Sequence, residues 1–123
     1  MPTTAGVIAI VDDDAATRQS IERLLSARGY MVSTFGSAEE FLESSLVDSA
    51  AGIVLDIHLG GMSGFELRRR LLAKKSRIPV VFITAYDDDA TRIEALGVGC
   101  VDCLQKPFAA ERLTEALERG MTS

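Results

Sequence analysis

Near its start the chain reads Val7-Ile-Ala-Ile-Val-Asp-Asp-Asp14, five consecutive apolar residues followed at once by three aspartates. A strand that is apolar at successive rather than alternate positions is covered on both faces, as in a parallel sheet with helices on either side. Four further short runs that contain apolar residues follow at Met31–Phe35, Gly52–Asp56, Val80–Thr84 and Cys100–Leu104. We therefore predict five parallel strands.

Helix-forming segments separate these runs. Asp14, Ser37 and Ser63 stand where N-caps are expected, and each serine precedes a glutamate by three residues, as in a capping box where the serine oxygen and the glutamate reciprocally satisfy free backbone donors. The strict alternation of strand and helix, with right-handed crossovers, predicts an α/β fold, a doubly wound five-stranded parallel sheet with five helices. We expect the flavodoxin-like strand order 2-1-3-4-5, one of the two common orders of such sheets. Apolar residues at helical spacing predict the packed sides of four of these helices: Ile21, Leu24 and Leu25; Leu67 and Leu71; Ile93 and Leu96; Leu113, Ala116 and Leu117.

The length and the composition limit what the chain can be. Its 123 residues fit one domain, and 47% apolar with 25% charged residues is ordinary for a globular protein. A net charge of −5 disfavours nucleic-acid binding by this chain alone. No signal peptide and no run of roughly 20 apolar residues is present, so we expect no membrane contact and a cytoplasmic location. Since the last predicted helix ends at Gly120, we expect one domain over 1–123 and no output domain.

Polar residues follow the predicted strands at their carboxyl ends, where open parallel sheets bind ligands. In the predicted order, Asp12, Asp13 and Asp56 meet at one edge, and three neighbouring carboxylates favour a divalent cation such as Mg²⁺. Thr84 and Lys106 face the same place with a hydroxyl and an ammonium. Together these groups predict a receptor for a tetrahedral anion, with a carboxylate able to act as nucleophile toward phosphorus.

The sequence resembles a response-regulator receiver domain of two-component signalling, of the FixJ-type group. Any one of the matching segments is weak evidence, but the ordered set is highly specific and spans nearly the whole chain. The matching segments are Val11-Asp-Asp-Asp14, Gly29-Tyr30, Phe35, Ser37-Ala-Glu-Glu-Phe-Leu42, Asp56, Gly61-Met-Ser-Gly64, Thr84-Ala85 and Lys106-Pro-Phe108.

The resemblance implies a role for each matching site residue. Asp56 would take a phosphoryl group from a phosphohistidine on a sensor histidine kinase or a histidine phosphotransfer protein. Asp13, Asp56 and the backbone carbonyl of His58 would bind Mg²⁺, and Asp12 would assist through a water molecule. The oxygens of the phosphoryl group would contact Thr84 and Lys106, and the Lys106–Pro107 bond would be cis. Such a domain assists its own phosphorylation and dephosphorylation but turns over no metabolite, so it is not a metabolic enzyme.

The resemblance also bears on how the signal would leave the site and on the order of the metal-binding loop. A downstream protein would bind the face formed by the fourth helix, fifth strand and fifth helix. Cys103 occupies a position where Tyr or Phe is usual in the family, and we hypothesise that Tyr86 supplies the mobile aromatic ring instead. Gly60 replaces a usual proline, which predicts a looser metal-binding loop.

Two other acidic and thiol motifs have simpler interpretations. Cys100 and Cys103 form a CxxC on the predicted fifth strand, where residues three apart point to opposite faces, so we expect two packed thiols rather than a redox pair. Asp87-Asp88-Asp89 precedes the fourth helix, whose dipole it would stabilise.

Two alternative functions remain open from the sequence. A small haloacid-dehalogenase-like Mg²⁺-dependent phosphatase would use Asp12 and Asp14, which leaves Asp56 without a role. A degenerate receiver would act only as a binding module, and the changes at Gly60 and Cys103 keep that alternative open.

Overall fold

Five parallel strands form a single sheet in the computed structural model, which describes residues 6–86 and 88–122. Their order is β2-β1-β3-β4-β5, which confirms the predicted doubly wound topology. The strands are β1 (Val7–Val11), β2 (Met31–Phe35), β3 (Gly52–Asp56), β4 (Val80–Thr84) and β5 (Asp102–Gln105).

The register of the central strands aligns their carboxyl ends. Val11 of β1 lies opposite Leu55 of β3, so that Asp12 and Asp56, one residue further along, reach the same edge of the sheet. On the other side of β3, Asp56 is the partner of Ile83, the penultimate residue of β4. The polar residues that end the strands are therefore brought to one edge by strand pairing alone.

The described residues form five α-helices, as predicted; four connect the strands and the fifth follows β5. They are α1 (Ala15–Ala27), α2 (Ala38–Leu42), α3 (Gly64–Ala73), α4 (Asp89–Val98) and α5 (Ala110–Met121), with a short 3-10 helix at Ser45–Asp48 after α2. The predicted N-caps are confirmed, because Asp14, Ser37 and Ser63 each accept a hydrogen bond from the backbone N–H three residues later. The reciprocal half of the capping boxes is wrong. Glu40 accepts from the N–H of Gly36 instead of Ser37, and Glu66 pairs with Arg70 of the next turn.

The sheet separates two apolar cores. Ala9 and Val11 of β1 point to the face that α2, α3 and α4 cover, whereas Ile8 and Ile10 point to the face that α1 and α5 cover. The core residues on both faces are almost fully buried. Each buried Ile or Leu contributes roughly 1.5–3 kcal/mol, because folding removes its apolar surface from water. This two-sided burial is the reason for the continuous apolar runs in the sequence.

Helix α4 and strand β5 differ from the sequence predictions. Ile93 and Leu96, predicted to pack inward, are 70% and 77% exposed, and Ala95 is the buried residue of α4. Strand β5 begins at Asp102 instead of Cys100, because the chain first leaves α4 through Gly99, whose φ is +85°. Both differences lie in the last crossover, which runs from β4 through α4 to β5.

A close contact joins the end of β3 to the start of α3. Gly64 is buried, and a Cβ atom at this position would overlap the carbonyl oxygen of Asp56 and lie 2.9 Å from the Cα of Ile57. Only glycine permits this approach of two backbones. The first turn of α3 is thereby fixed directly against the strand end that carries Asp56.

Among the described residues, the helices are too short or too polar for any of them to span a lipid bilayer.

Candidate functional site

Three carboxylates meet at the carboxyl edge of the sheet. One oxygen from each of Asp12, Asp13 and Asp56 lies within 4.8 Å of the other two. Asp12 and Asp56 are buried, whereas Asp13 is exposed. The structure thus brings the predicted acidic trio together, at the edge where strand pairing aligns β1 and β3.

Lys106 reaches the trio from the other side. Its Nζ atom lies 3.0 Å from Oδ2 of Asp12 and 3.2 Å from Oδ2 of Asp56. Burial by itself lowers the pKa of Lys106, but its bonds to the two carboxylates outweigh burial and raise it above the usual value. The ammonium therefore keeps its charge at neutral pH and balances part of the negative charge of the site. The Lys106–Pro107 bond is cis, as the resemblance implied.

Asp56 is held in the centre of this charge arrangement. Its Oδ1 accepts a hydrogen bond of 3.0 Å from the backbone N–H of His58, while its Oδ2 faces Lys106. Burial raises the pKa of Asp56, and the neighbouring charge of Asp12 raises it further, whereas the His58 N–H and Lys106 lower it. The net direction is upward, because the carboxyl is deep in the site and shares it with another carboxylate.

Asp12 and Asp14 have different partners although they are close in sequence. Oδ1 of Asp12 accepts from the N–H of Asp14 at 2.8 Å, and the guanidinium of Arg18 donates to the Asp12 carbonyl oxygen at 2.7 Å. Asp14 accepts from Thr17 and caps α1, and these hydrogen bonds lower its pKa. Asp14 is therefore an N-cap, and it is not one of the three clustered carboxylates.

Thr84 ends β4 and is buried, but its hydroxyl is already engaged. It donates to the carbonyl oxygen of Tyr86 at 3.1 Å and accepts from the N–H of Tyr86 at 3.0 Å. The N–H of Lys106 donates to the carbonyl oxygen of Thr84 at 2.8 Å, so the backbones of these two residues are joined by a hydrogen bond. The hydroxyl is thus placed beside the site and is bonded to its own loop.

His58 and Tyr86 meet above this region. The imidazole ring of His58 is exposed, and it packs edge-on against the ring of Tyr86 with centroids 4.9 Å apart. Tyr86 is 60% exposed. The pair connects the loop after β3 to the loop after β4.

Two residues that support the site were missed in the sequence. Glu39 of α2 accepts a hydrogen bond of 3.1 Å from the N–H of Met62, in the loop between β3 and α3. Arg18 of α1 binds the Asp12 carbonyl oxygen. Arg18 belongs to none of the quoted segments. Glu39 lies in the matching segment Ser37-Ala-Glu-Glu-Phe-Leu42, but it acts through a contact that only the tertiary structure creates. The N–H of Gly60 in the same loop donates to Oδ2 of Asp13 at 3.1 Å.

The two cysteines correct one of our geometric predictions. Cys100 and Cys103 pack against the same apolar core, beneath α3 and α4, and not on opposite faces of the sheet. The reason is that β5 begins at Asp102, so that Cys100 lies in the preceding turn and escapes the alternation of the strand. Neither cysteine forms a disulfide, and burial raises the pKa of Cys100 to about 11.

The second acidic cluster serves α4. Asp88 is the N-cap, accepting from the N–H of Thr91 at 2.7 Å, and Asp89 is the first residue of the helix. This agrees with the predicted interaction with the helix dipole. Asp87 lies outside the described residues.

The donor chemistry of the trio suits a hard divalent cation. Three carboxylate oxygens within 4.8 Å of one another form an acidic cluster with an exposed side at Asp13. Mg²⁺ prefers oxygen ligands and retains several water molecules, which requires an open position of this kind. The residues present therefore fit the metal that the resemblance implied.

Comparison with known proteins agrees with this geometry. The family model for the response regulator receiver domain matches residues 8–118. The chain belongs to this family. The receiver domain is 39% identical over 119 residues to the transcriptional regulatory protein FixJ of Bradyrhizobium diazoefficiens, covering 97% of this chain and 58% of FixJ. It is 36% identical over 115 residues to nodulation protein W of the same organism, covering 94% of this chain and 51% of that protein.

Solved structures give the same result. The receiver domain superposes on the crystal structure of FixJ-N with a TM-score of 0.87 and 33% identity, covering 98% of this chain and 96% of that one. It superposes on the response regulator StyR with a TM-score of 0.86 and 38% identity, covering 96% of this chain and 60% of that one. The predicted resemblance to the FixJ-type group is confirmed. The chain spans about half the length of FixJ and of nodulation protein W.

Proposed function

We propose that this receiver domain accepts a phosphoryl group on Asp56 from a phosphohistidine of a sensor histidine kinase or a histidine phosphotransfer protein. The observation that carries the proposal is the position of Asp56. Its carboxylate is clustered with those of two other aspartates, and its Oδ2 lies 3.2 Å from Nζ of Lys106. Phosphoryl transfer depends mainly on positioning and on neutralising charge, and these residues supply both.

The transfer forms one bond and breaks one. A carboxylate oxygen of Asp56 attacks phosphorus, the P–N bond to the donor imidazole breaks, and the imidazole leaves with the electron pair. The ammonium of Lys106 faces the attacking carboxylate and counters the negative charge of the phosphoryl oxygens. Burial raises the pKa of Asp56, and Lys106 opposes that increase, so the ion pair favours the ionised, nucleophilic form.

Asp12, Asp13, Asp56 and the carbonyl of His58 are the groups that we propose to hold Mg²⁺. When bound, the cation neutralises negative charge shared by the carboxylates and the incoming phosphoryl group. Asp12 has one oxygen on Lys106 and the other on the N–H of Asp14, so its carboxylate is oriented before any ligand arrives. Asp13 is the exposed member and the one that can adjust its position.

Thr84 is the residue that we propose to report the phosphorylated state. Its hydroxyl has one proton to donate, and that proton is given to the carbonyl of Tyr86. Donating it to a phosphoryl oxygen requires breaking this bond, which frees the loop after β4. Tyr86 then separates from His58, and the change reaches the start of α4.

An exposed apolar patch on this side suits a downstream protein. We define the α4 patch as Tyr86, Ile93 and Leu96, whose side chains are 60%, 70% and 77% exposed. Large apolar residues grouped on a surface are typical of protein interfaces. The α4 patch therefore supports binding of the downstream partner at the face of α4, β5 and α5. The proposal includes a cytoplasmic location and no turnover of a metabolite.

The alternative functions fit the site less well. A phosphatase that uses Asp12 and Asp14 would need both carboxylates in the cluster, but Asp14 caps α1 and is outside the trio. A degenerate receiver would be expected to lack part of the site, yet the acidic trio and Lys106 are assembled. Neither alternative gives a chemical role to Asp56, although its carboxylate is a member of the acidic trio.

The test is phosphorylation of the purified chain by a small acyl phosphate in MgCl₂. We expect one added phosphoryl group by intact-mass spectrometry, and none after Asp56→Asn. Asp48→Asn is the matched control, since Asp48 is an exposed aspartate of the 3-10 helix, away from the acidic trio. Phosphorylation that persists in Asp56→Asn, or steady hydrolysis of phosphomonoesters that depends on Asp12 and Asp14, would overturn the proposal.

A further inference from the structure

The loop between β3 and α3 is held at alternate residues by three carboxylates. The N–H of His58 donates to Oδ1 of Asp56 at 3.0 Å, and the N–H of Gly60 donates to Oδ2 of Asp13 at 3.1 Å. The N–H of Met62 donates to Oε2 of Glu39 at 3.1 Å. The first two carboxylates belong to the acidic trio, and the third comes from α2.

The three hydrogen bonds differ in whether their carboxylates would also bind the cation or the phosphoryl group. Asp56 and Asp13 are the residues proposed to engage the cation, and Asp56 also the phosphoryl group, so their oxygens are shared between the loop and the ligands. Glu39 is not a member of the acidic trio. Its hold on Met62 is therefore the one carboxylate anchor of this loop that need not change when the site is occupied.

The packing around Gly61 shows that Glu39 is closely fitted to the loop. A Cβ atom at position 61 would lie 3.0 Å from Oε2 of Glu39, and Gly61 has a φ of +77°, which side-chain-bearing residues rarely adopt. The carboxylate thus occupies the space that a side chain at position 61 would need. Glu39 itself is in the first turn of α2, a helix whose N-terminus is fixed by the Ser37 cap.

We propose that Glu39 is a positioning residue for the metal site, acting through the backbone of the loop that carries the His58 carbonyl. This inference rests on the proposed function, in which that carbonyl and the trio bind Mg²⁺. It also offers a source of loop order at a place where Gly60 gives the chain extra conformational freedom. By fixing Met62, Glu39 limits the conformations of the three residues between Met62 and His58, and the carbonyl of His58 stays directed at the trio.

The test separates the hydrogen bond of Glu39 from its charge. Mg²⁺ affinity is measured by titrating MgCl₂ and following backbone amide NMR shifts in the wild type, Glu39→Ala, Glu39→Gln and Glu43→Ala. Glutamine keeps a carbonyl oxygen for Met62 but removes the charge. Glu43, the exposed residue after α2, is the control for loss of charge from that region.

We expect Glu39→Ala to weaken Mg²⁺ binding about tenfold, the lower end of the range for groups that orient metal ligands. Glu39→Gln and Glu43→Ala should stay within about twofold of the wild type. In metal-free buffer, hydrogen exchange at the Met62 amide should be faster in Glu39→Ala and unchanged in Glu39→Gln. This second measurement reports the loop directly, without metal.

Two results would overturn the inference. Equal weakening in Glu39→Ala and Glu39→Gln would mean that only charge matters, and unchanged affinity in Glu39→Ala would mean that the anchor is dispensable. Failure of the proposed function looks different, because the wild type itself would then show no Mg²⁺ binding that Asp56→Asn weakens.

Discussion

Asp13 is the least enclosed member of a cluster in which three carboxylates face one ammonium. Asp12 and Asp56 both contact Lys106, so Asp13 meets a neighbourhood that is already net negative. Repulsion between charges about 4–5 Å apart reaches a few kcal/mol near a protein surface, and solvent exposure of Asp13 reduces it. The cluster is thus arranged for a ligand at a cost in stability of the ligand-free domain.

This imbalance predicts that Asp13→Asn stabilises the metal-free domain. We expect the free energy of unfolding to rise by on the order of 1 kcal/mol, because repulsion is relieved while an amide oxygen can still accept from the N–H of Gly60. Urea unfolding in EDTA measures the change, with Asp48→Asn as control. An Asp13→Asn domain less stable than the wild type would contradict this account of the charges.

Cys100 gives a pH prediction at the same scale. Burial raises its pKa from the ordinary 9.0 to about 11, so the reactive thiolate is lost at neutral pH. In the wild type, with the two cysteines distinguished by peptide mapping, we expect alkylation of Cys100 to be about a hundredfold slower at pH 8 than that of a free thiol, with a midpoint near pH 11. The measurement is mass-spectrometric alkylation rate against pH. A midpoint near pH 9 or below would show that the thiol is more accessible than the structure indicates.

Individual site residues could be predicted from the sequence because strand ends in a parallel sheet converge. Asp12, Asp56 and Lys106 each follow an apolar run, and position relative to a strand is enough to place them. Glu39 could not be predicted, since its partner Met62 is distant in sequence and the bond depends on how α2 lies beside the loop after β3. A residue that acts through another segment's backbone leaves no local pattern.

At the scale of the element, α4 shows that periodicity identifies an apolar position without saying whether anything covers it. Ile93 and Leu96 have helical spacing, yet the sheet is reached by Ala95, and the larger residues point to solvent. The sequence could not distinguish these cases, because helical spacing alone does not show whether the large residues or the small Ala95 face the sheet.

The exposed position of these residues predicts a separation of stability from binding. We expect Ile93→Gln with Leu96→Gln to change the free energy of unfolding by no more than about 0.5 kcal/mol, because no buried contact is lost. The same variant should weaken association with the downstream partner or between phosphorylated copies, measured by analytical ultracentrifugation. Ala95→Gln is the control: Ala95 is 1% exposed, and we expect it to lower stability. A strongly destabilised double variant would show that α4 packs inward in solution.

At the scale of the whole molecule, binding at one edge of the sheet should stabilise the entire domain. β1 and β3, which carry the trio, are the central strands beside which the rest of the sheet is built. A ligand that binds the folded state alone raises the free energy of unfolding by about 2.7 kcal/mol at a hundred times its dissociation constant.

Mg²⁺ is therefore expected to raise the melting temperature. For a chain of this length the corresponding increase is roughly 10 °C, measured by differential scanning calorimetry in MgCl₂ against EDTA. Asp56→Asn should reduce the increase, since it removes one of the three carboxylates. A melting temperature that is the same in MgCl₂ and EDTA would argue against metal binding at the trio.

The global fold was the most predictable level. Continuous apolar runs that alternate with helices, joined by right-handed crossovers, predict an open parallel sheet with helices on both faces. The strand order 2-1-3-4-5 is one of the two common orders of such sheets. The details that failed, at β5 and in the CxxC, lie where Gly99 turns the chain after α4. Because of this turn, β5 begins two residues later than predicted, so Cys100 lies outside the strand and does not follow its alternation.

The tight seating of Gly64 against the backbone of Asp56 has a consequence for mutational scanning. A library that randomises position 64 while preserving every aspartate would displace the peptide that carries the proposed nucleophile, because any Cβ collides with its carbonyl oxygen. Such a screen would rank Gly64 alongside the residues proposed to bind phosphate, although Gly64 has no side chain that could contact a phosphate group. Its intolerance would report architecture alone.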